Sequence, residues 1–286
     1  MATNHHKITI LLPIFKPNIK FLKETLRSIL DQTLEKKFFK LIIINDTKDN
    51  ELKDLIDKIL KKNINYIYIN VDRGNIAKSL QLGLSLVETK YFARIDSDDI
   101  MENNRLETQI NYMEANDKLS VLGTGVTFID SNSLEIKFMS SKIYLPSNEL
   151  IFLIYASFYN NPICHSSVIC RTSHIKDIGG YFRNPPAEDY WLWSEVIKTK
   201  KILNIDTPLT RYRIHSLQLS KNDPLSYQSR IFIRLRFLKA LFFYSYFGTF
   251  IALIFFPLVF IPLKVNQKIF KSSFGVINTI LKKVKI

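Results

Sequence analysis

The chain has 286 residues, 47% of them hydrophobic and 13% aromatic, which excludes a disordered chain and supports one large domain or two small ones. Lys and Arg outnumber Asp and Glu by 40 to 26, for a net +14. From Pro224 onward there are ten Lys or Arg and no acid, so residues 1–223 carry only 30 minus 26, or +4.

The N-terminus, "MATNHHKITILLPIFKPN", has no long apolar run and no small-residue cleavage site, so no signal peptide is expected and the catalytic part is expected in the cytosol. Four apolar stretches, "KITILLPIF", "FKLIIIND", "NYIYINVD" and "YFARIDSD", then read as strands that end in polar residues. Helical patterns lie between and after them: "FLKETLRSILDQT", with Leu22, Leu26, Ile29 and Leu30 on one face, "DNELKDLIDKILKK", "NIAKSLQLGLSLV" and "NNRLETQINYMEAN". Such alternation predicts an α/β fold with a mostly parallel central sheet and a ligand crevice beyond the carboxyl ends of its strands. Asp46, Asp72, Asp96 and Asp98 fall at those ends, so acids distant in sequence are expected to converge.

Asp96, Asp98 and Asp99 occupy three of four consecutive positions. Crowded carboxylates repel one another unless a cation neutralises them, and oxygen ligands suit Mg²⁺ or Mn²⁺ shared with a substrate's phosphates. Asp98 and Asp99 as caps of the following helix is the plainer alternative. An EF-hand is excluded because Met101 stands where its loop requires Gly, and no Gly-x-Gly-x-x-Gly or Walker Gly-Lys-Ser/Thr is present. A haloacid-type phosphatase is excluded by the residues after Asp98 and by the motif's place beyond the first strand. Cys164 and Cys170 lack Cys-x-x-Cys spacing, so two reduced, buried thiols are expected.

The second half offers "NPICHSSVICR", then "AEDYWLWSEVIK", a helix opened by acids behind Pro185 and Pro186, and "TRYRIHSLQLS", a strand closing on Arg211, Arg213 and His215. Trp191 and Trp193 fit the core, with a sugar-stacking wall as the other option. Leu241–Leu263 is uncharged and flanked by Arg and Lys. As one helix it would measure about 34 Å, enough to span a bilayer, but Pro257 and Pro262 and the symmetric basic flanks fit an interfacial segment on anionic lipid equally well. Nucleic-acid binding is not expected, since these charges surround an apolar block rather than an aromatic-studded groove.

Taken in order, "ITILLPIFKPNIKFLKETLRSILDQT", "LIIINDTKDN", "DRGNIAKSLQLGL", "RIDSDDI", "NPICH" and "AEDYWLW" resemble the GT-A-fold glycosyltransferases of family 2, the bacterial group that builds capsules, lipooligosaccharides and exopolysaccharides. The resemblance implies a Rossmann-like nucleotide-diphospho-sugar transferase domain over residues 1–223, with a donor half to about 120, an acceptor half from 121, and a basic, apolar, membrane-associating segment at 224–286. It implies that Asp46 accepts the uracil imide hydrogen bond, that Phe15 lies against the base, that Asp96 contacts ribose and that Arg73 meets charge near the donor. Pro13 and Asn75 join that donor-binding set. Asp98 would ligate Mn²⁺ or Mg²⁺ on the diphosphate, with Asp99 beside it or at the start of the next helix, and His215 would reach the diphosphate or the metal. On the acceptor side it implies Asp189 as general base, with Glu188 next, and His165, Trp191 and Arg213 toward the acceptor or diphosphate. "INDT" departs from the family's Asp-Asp-Gly and alters the turn after Asp46.

The activity implied is metal-dependent, inverting transfer of one sugar from a nucleotide-diphosphate sugar, a UDP-sugar, to a saccharide or lipid-linked saccharide at the cytoplasmic face of the inner membrane. Absence of a Gln-x-x-Arg-Trp motif argues for single additions. A sugar nucleotidyltransferase and a non-catalytic membrane-docking assembly protein are the alternatives, the first weakened by "PIFKPN" where a Gly-rich basic loop would stand.

Overall fold

The computed structural model describes residues 6–47, 51–61, 63–72, 74–137, 149–158, 161–181, 187–198, 201–216 and 227–261. Arg73, Pro185, Pro186 and the lysines from Lys264 onward lie outside them. The chain divides into two compact units, residues 1–147 with 163–224, and residues 148–162 with 225–286.

In the first unit, β1 (Ile8–Ile14), β2 (Phe39–Asn45), β3 (Tyr66–Asn70), β4 (Tyr91–Arg94), β5 (Ile100–Met101), β6 (Leu119–Ile129), β7 (Ile169–Arg171) and β8 (Lys201–Arg213) form one sheet, ordered β3-β2-β1-β4-β7-β6-β8-β5. The β1–β2, β2–β3, β1–β4 and β6–β8 pairs are parallel; β7 runs against β4 and β6, and β5 against β8. β1 and β2 are buried along their whole length, which is why they read as unbroken apolar runs rather than alternating ones. Pro13 is tolerated in this central strand because β4 pairs with β1 only as far as Leu11, so the missing N–H falls where that neighbour has ended.

Helices α1 (Ile19–Leu30), α2 (Glu51–Leu60), α3 (Ile76–Ser85), α4 (Arg105–Glu114), α6 (Thr172–Asp177) and α7 (Glu188–Val196) belong to this unit, and α5 (Glu149–Phe158) to the second. α1 starts on Asn18, whose side chain accepts from Lys20 and Phe21 N–H, and it buries Leu22, Leu26 and Ile29 against the sheet, with Leu30 at the margin. α3 lies so close to the sheet that a Cβ at Gly83 would meet Ile44 Cδ1 at 2.9 Å and Leu11 Cδ2 at 3.3 Å. This packing holds the carboxyl ends of β1, β2 and β4 on one rim. The short β5 ties the segment after Asp99 to the far end of β8, pairing Ile100 with Arg211 and Met101 with Thr210.

The second unit packs α5 with α8 (Tyr227–Tyr244), α9 (Tyr246–Phe255) and a 3₁₀ turn at Phe256–Phe260. Phe152 meets Phe237, and Phe158 meets Phe255, edge to face. The uncharged Leu241–Leu263 stretch is not one helix. Ser245 is extended and caps α9 through Gly248 N–H, and the 3₁₀ turn carrying Pro257 follows Phe255 directly. No described helix is long and apolar enough to cross a membrane. Large apolar side chains nevertheless face outward in this unit: Tyr246 is 99% exposed, with Phe243, Phe250, Leu253 and Phe256 also exposed.

Candidate active site

Three acids after β4 form the centre. Asp96, Asp98 and Asp99 place carboxylate oxygens within 4.8 Å of one another, yet each has a different partner. Asp96 is held by Arg94, two residues back on the same strand face: Nη1 donates to Oδ2 at 2.7 Å and Nη2 donates to Oδ1. Asp98 Oδ2 lies 2.8 Å from His215 Nε2. Asp99 is buried, and its Oδ1 accepts the Arg213 N–H at 2.8 Å. It does not start the next helix: β5 intervenes, and the N-cap of α4 is Asn104, which makes no side-chain cap bond. Burial raises the Asp99 pKa well above the usual range, and the charges of Asp98 and Asp96 add to it. Burial likewise pushes Asp96 up to about 6 against the pull of Arg94.

Arg213 corrects a second expectation. It is fully buried, and its guanidinium donates to the carbonyls of Asp98 and Asp130, to Ser133 Oγ and to Glu24, at 2.6–3.0 Å. It also stacks 4.3 Å from the Phe21 ring, whose other neighbour is His215 at 5.4 Å. With its donors taken internally, it pins the Asp98 loop to α1 and to the end of β6 instead of facing a diphosphate. His215, two residues on, is thereby set against Asp98.

Phe15, expected against the donor's base, stands just past β1 and is 47% exposed, with Lys16 Nζ 5.3 Å from the centre of its ring, so it is not core. Asp46 follows β2, and its carboxylate accepts from Gly74 N–H, Asn75 N–H and Ser79 Oγ at 3.1–3.3 Å, joining the β2 turn to the start of α3. Asn75 is the N-cap of α3, its side chain accepting from Lys78 N–H. That bond engages the side-chain oxygen of Asn75 and fixes the start of α3 beside Asp46. Asn45, which replaces the family's Asp, is buried and bonds Tyr68, Asn70 and Thr47, which holds the altered turn.

Glu188 and Asp189, the acids expected on the acceptor side, open α7. Ala187, in left-handed backbone (φ 60°), turns the chain so that Glu188 and Asp189 enter the first turn. Asp189 Oδ1 accepts its neighbour Tyr190 N–H at 2.7 Å. Burial raises the pKa of both carboxyls, and the charge of Arg94 opposes the shift at each. His165 is itself buried, and burial, then Arg94, lowers its pKa well below the ordinary histidine range. Its Nε2 is 2.9 Å from Tyr181 Oη and its Nδ1 is 3.3 Å from Glu188 Oε1. A neutral ring accepting from Tyr181 and pointing Nδ1–H at Glu188 satisfies all three groups. His165 therefore positions Glu188, and Asp189 beside it is half-buried, as Glu188 is. Trp191 is only 8% exposed and Trp193 is fully buried, which places both in packing rather than in a sugar-stacking wall.

Sequence reading missed Arg94, Tyr181 and Glu24. Only Arg94 left a signal: one cation inside an apolar strand, two positions before an acid, shares that acid's face. The metal-ligand chemistry fits. Asp98 and His215 bring a carboxylate oxygen and an imidazole nitrogen to 2.8 Å, donor types that would hold a divalent ion such as Mn²⁺.

Residues 9–179 match the family model described as Glycosyl transferase family 2. An uncharacterized glycosyltransferase of Haemophilus influenzae is 30% identical over 210 residues, covering 70% of this chain and 64% of its own, so the chain spans less than two thirds of that relative. The Escherichia coli UDP-Glc:alpha-D-GlcNAc-diphosphoundecaprenol beta-1,3-glucosyltransferase WfaP is 29% identical over 200 residues, 69% of this chain and 74% of that protein. Among solved structures, S. aureus TarS 1–349 in complex with UDP-GlcNAc aligns with a TM-score of 0.63 at 16% identity, over 83% of this chain and 67% of that one. This last likeness establishes the GT-A fold.

Proposed function

Because the chain belongs to glycosyl transferase family 2, we propose that it transfers one sugar from a UDP-sugar to a saccharide or lipid-linked saccharide, with inversion and with Mn²⁺ or Mg²⁺ as cofactor. The observation that carries this reading is the Asp98–His215 pair at 2.8 Å, set beside an Asp96 already separated from it by Arg94. Asp98 and His215 would hold the ion, and Asp96 would receive the ribose hydroxyls. Phe15, exposed just past β1, would lie against the base, and Asp46 would accept the imide hydrogen bond.

When bound, the ion supplies charge stabilisation to the departing diphosphate. Asp189 accepts the acceptor hydroxyl's proton as that oxygen attacks the anomeric carbon, and the bond from that carbon to the diphosphate oxygen breaks. His165 and Tyr181 fix Glu188 next to Asp189, so the base sits on an ordered helix start. A single displacement of this kind inverts the anomeric centre.

For the acceptor, the WfaP name specifies a sugar on diphosphoundecaprenol. A lipid-linked acceptor of that class suits this chain because its second unit exposes aromatic side chains, and residues 224–286 carry ten cations and no acid. That unit is proposed to rest on anionic lipid at the cytoplasmic face of the membrane, in the synthesis of a bacterial surface polysaccharide. Sedimentation with vesicles is expected to recover the protein on anionic phospholipid and to leave it in solution with neutral phospholipid; recovery by neither would remove the membrane from the account. The activity itself is tested by incubating a panel of UDP-, GDP- and other nucleotide sugars with Mn²⁺. Turnover of a UDP-sugar is expected, and turnover of none would sink the reading.

A further inference from the structure

We propose that Arg94 divides the acid cluster, withholding Asp96 from the divalent ion and presenting it to the donor's ribose, so that the ion falls to Asp98 and His215. The assignment rests on the donor and metal roles given above and adds a residue to them.

Three carboxylates within 4.8 Å are close enough to be gathered by one divalent cation. What separates them is a planar fork. Arg94 meets both Asp96 oxygens at once, which fixes the plane of the carboxylate and fills two of its roughly four acceptor sites, leaving the outer two for a pair of hydroxyls. The fork is rooted. Arg94 is 3% exposed, its N–H donates to Val168 O at 3.1 Å, and its carbonyl accepts from the buried Arg105 at 2.8 Å. Asp96 is fixed from behind as well, its N–H donating to Ser166 Oγ at 3.0 Å. A guanidinium on Asp96 also repels a second cation arriving at the same oxygens. Asp98, by contrast, faces an imidazole, which is a metal ligand once its nitrogen is unprotonated.

Opposite effects on metal and donor distinguish this role from a structural one. Mn²⁺ binding without nucleotide, followed by electron paramagnetic resonance, is compared for wild type, Arg94→Met, Arg94→Lys, Asp96→Asn and the Arg94→Met/Asp96→Asn double variant; donor KM and kcat are measured alongside. Arg94→Met is expected to bind Mn²⁺ about tenfold more tightly, because Asp96 joins the ion as an added charged oxygen ligand. Its donor KM is expected to rise about tenfold, with a much smaller change in kcat, because the ribose contact is lost. Arg94→Lys, which keeps the charge without the fork, should retain wild-type Mn²⁺ affinity with an intermediate KM. Asp96→Asn should leave Mn²⁺ affinity near wild type and should cancel the gain in the double variant. Weaker or unchanged Mn²⁺ binding in Arg94→Met overturns the proposal. So does a large loss of Mn²⁺ affinity in Asp96→Asn, a comparison that stands even where Arg94→Met fails to fold. A wild-type protein that binds no Mn²⁺ overturns this assignment together with the reading beneath it, whereas the other adverse results overturn the assignment alone.

Discussion

Asp98→Asn is expected to reduce kcat by about 10²–10³-fold, the usual cost of removing an electrostatic stabiliser of developing charge. The reason lies in the pairing: Asp98 is the one acid of the three that faces His215, while Asp96 and Asp99 are engaged by Arg94 and by the Arg213 N–H. An amide keeps the shape and one acceptor oxygen but removes the charge that would hold the ion. Added Mn²⁺ should restore part of the rate by mass action, and a shift in the Mn²⁺ concentration needed for half-maximal rate is the measurement that identifies a ligand. A variant with unaltered rate and Mn²⁺ dependence would place the ion elsewhere.

The second large effect is expected at Asp189. Asp189→Asn should lower kcat by about 10²–10⁴-fold with little change in donor KM, since the proton acceptor is lost while the donor site is untouched. Its pH dependence follows from burial, which raises the Asp189 carboxyl above the ordinary carboxylate pKa while the group must be ionised to act. The wild-type rate should therefore rise with pH through an acid limb lying above about 3.9, and that limb should disappear in the residual activity of the variant. Retention of full transfer would shift the base to Glu188, which the neutral His165 holds at 3.3 Å.

The sequence made the fold legible wherever burial was complete. β1 and β2 are buried on both faces, so their apolar runs ended where the strands end, and the acids after them marked the rim. α1 was equally plain because Leu22, Leu26 and Ile29 lie on one buried face. What escaped was set by tertiary pairing. β5 is two residues long and exists only because β8 lies beside it, so Asp99 looked like a helix cap and is instead a buried acceptor for Arg213. The resemblance placed Arg213 toward the acceptor or diphosphate; nothing local announces that Glu24, Asp130 and Ser133 will close around it. The Leu241–Leu263 stretch gave no warning at Ser245, where a side-chain cap starts a new helix and divides the segment.

The most direct test of the account is the anomeric configuration of the product. Incubation of the full chain with Mn²⁺, a saccharide acceptor and the α-linked UDP-sugar that it turns over, followed by proton NMR of the purified glycoside, is expected to show one added sugar in β linkage and one equivalent of UDP. An α-linked product would contradict a single displacement with Asp189 as base, and release of UDP without any glycoside would contradict the proposed transfer.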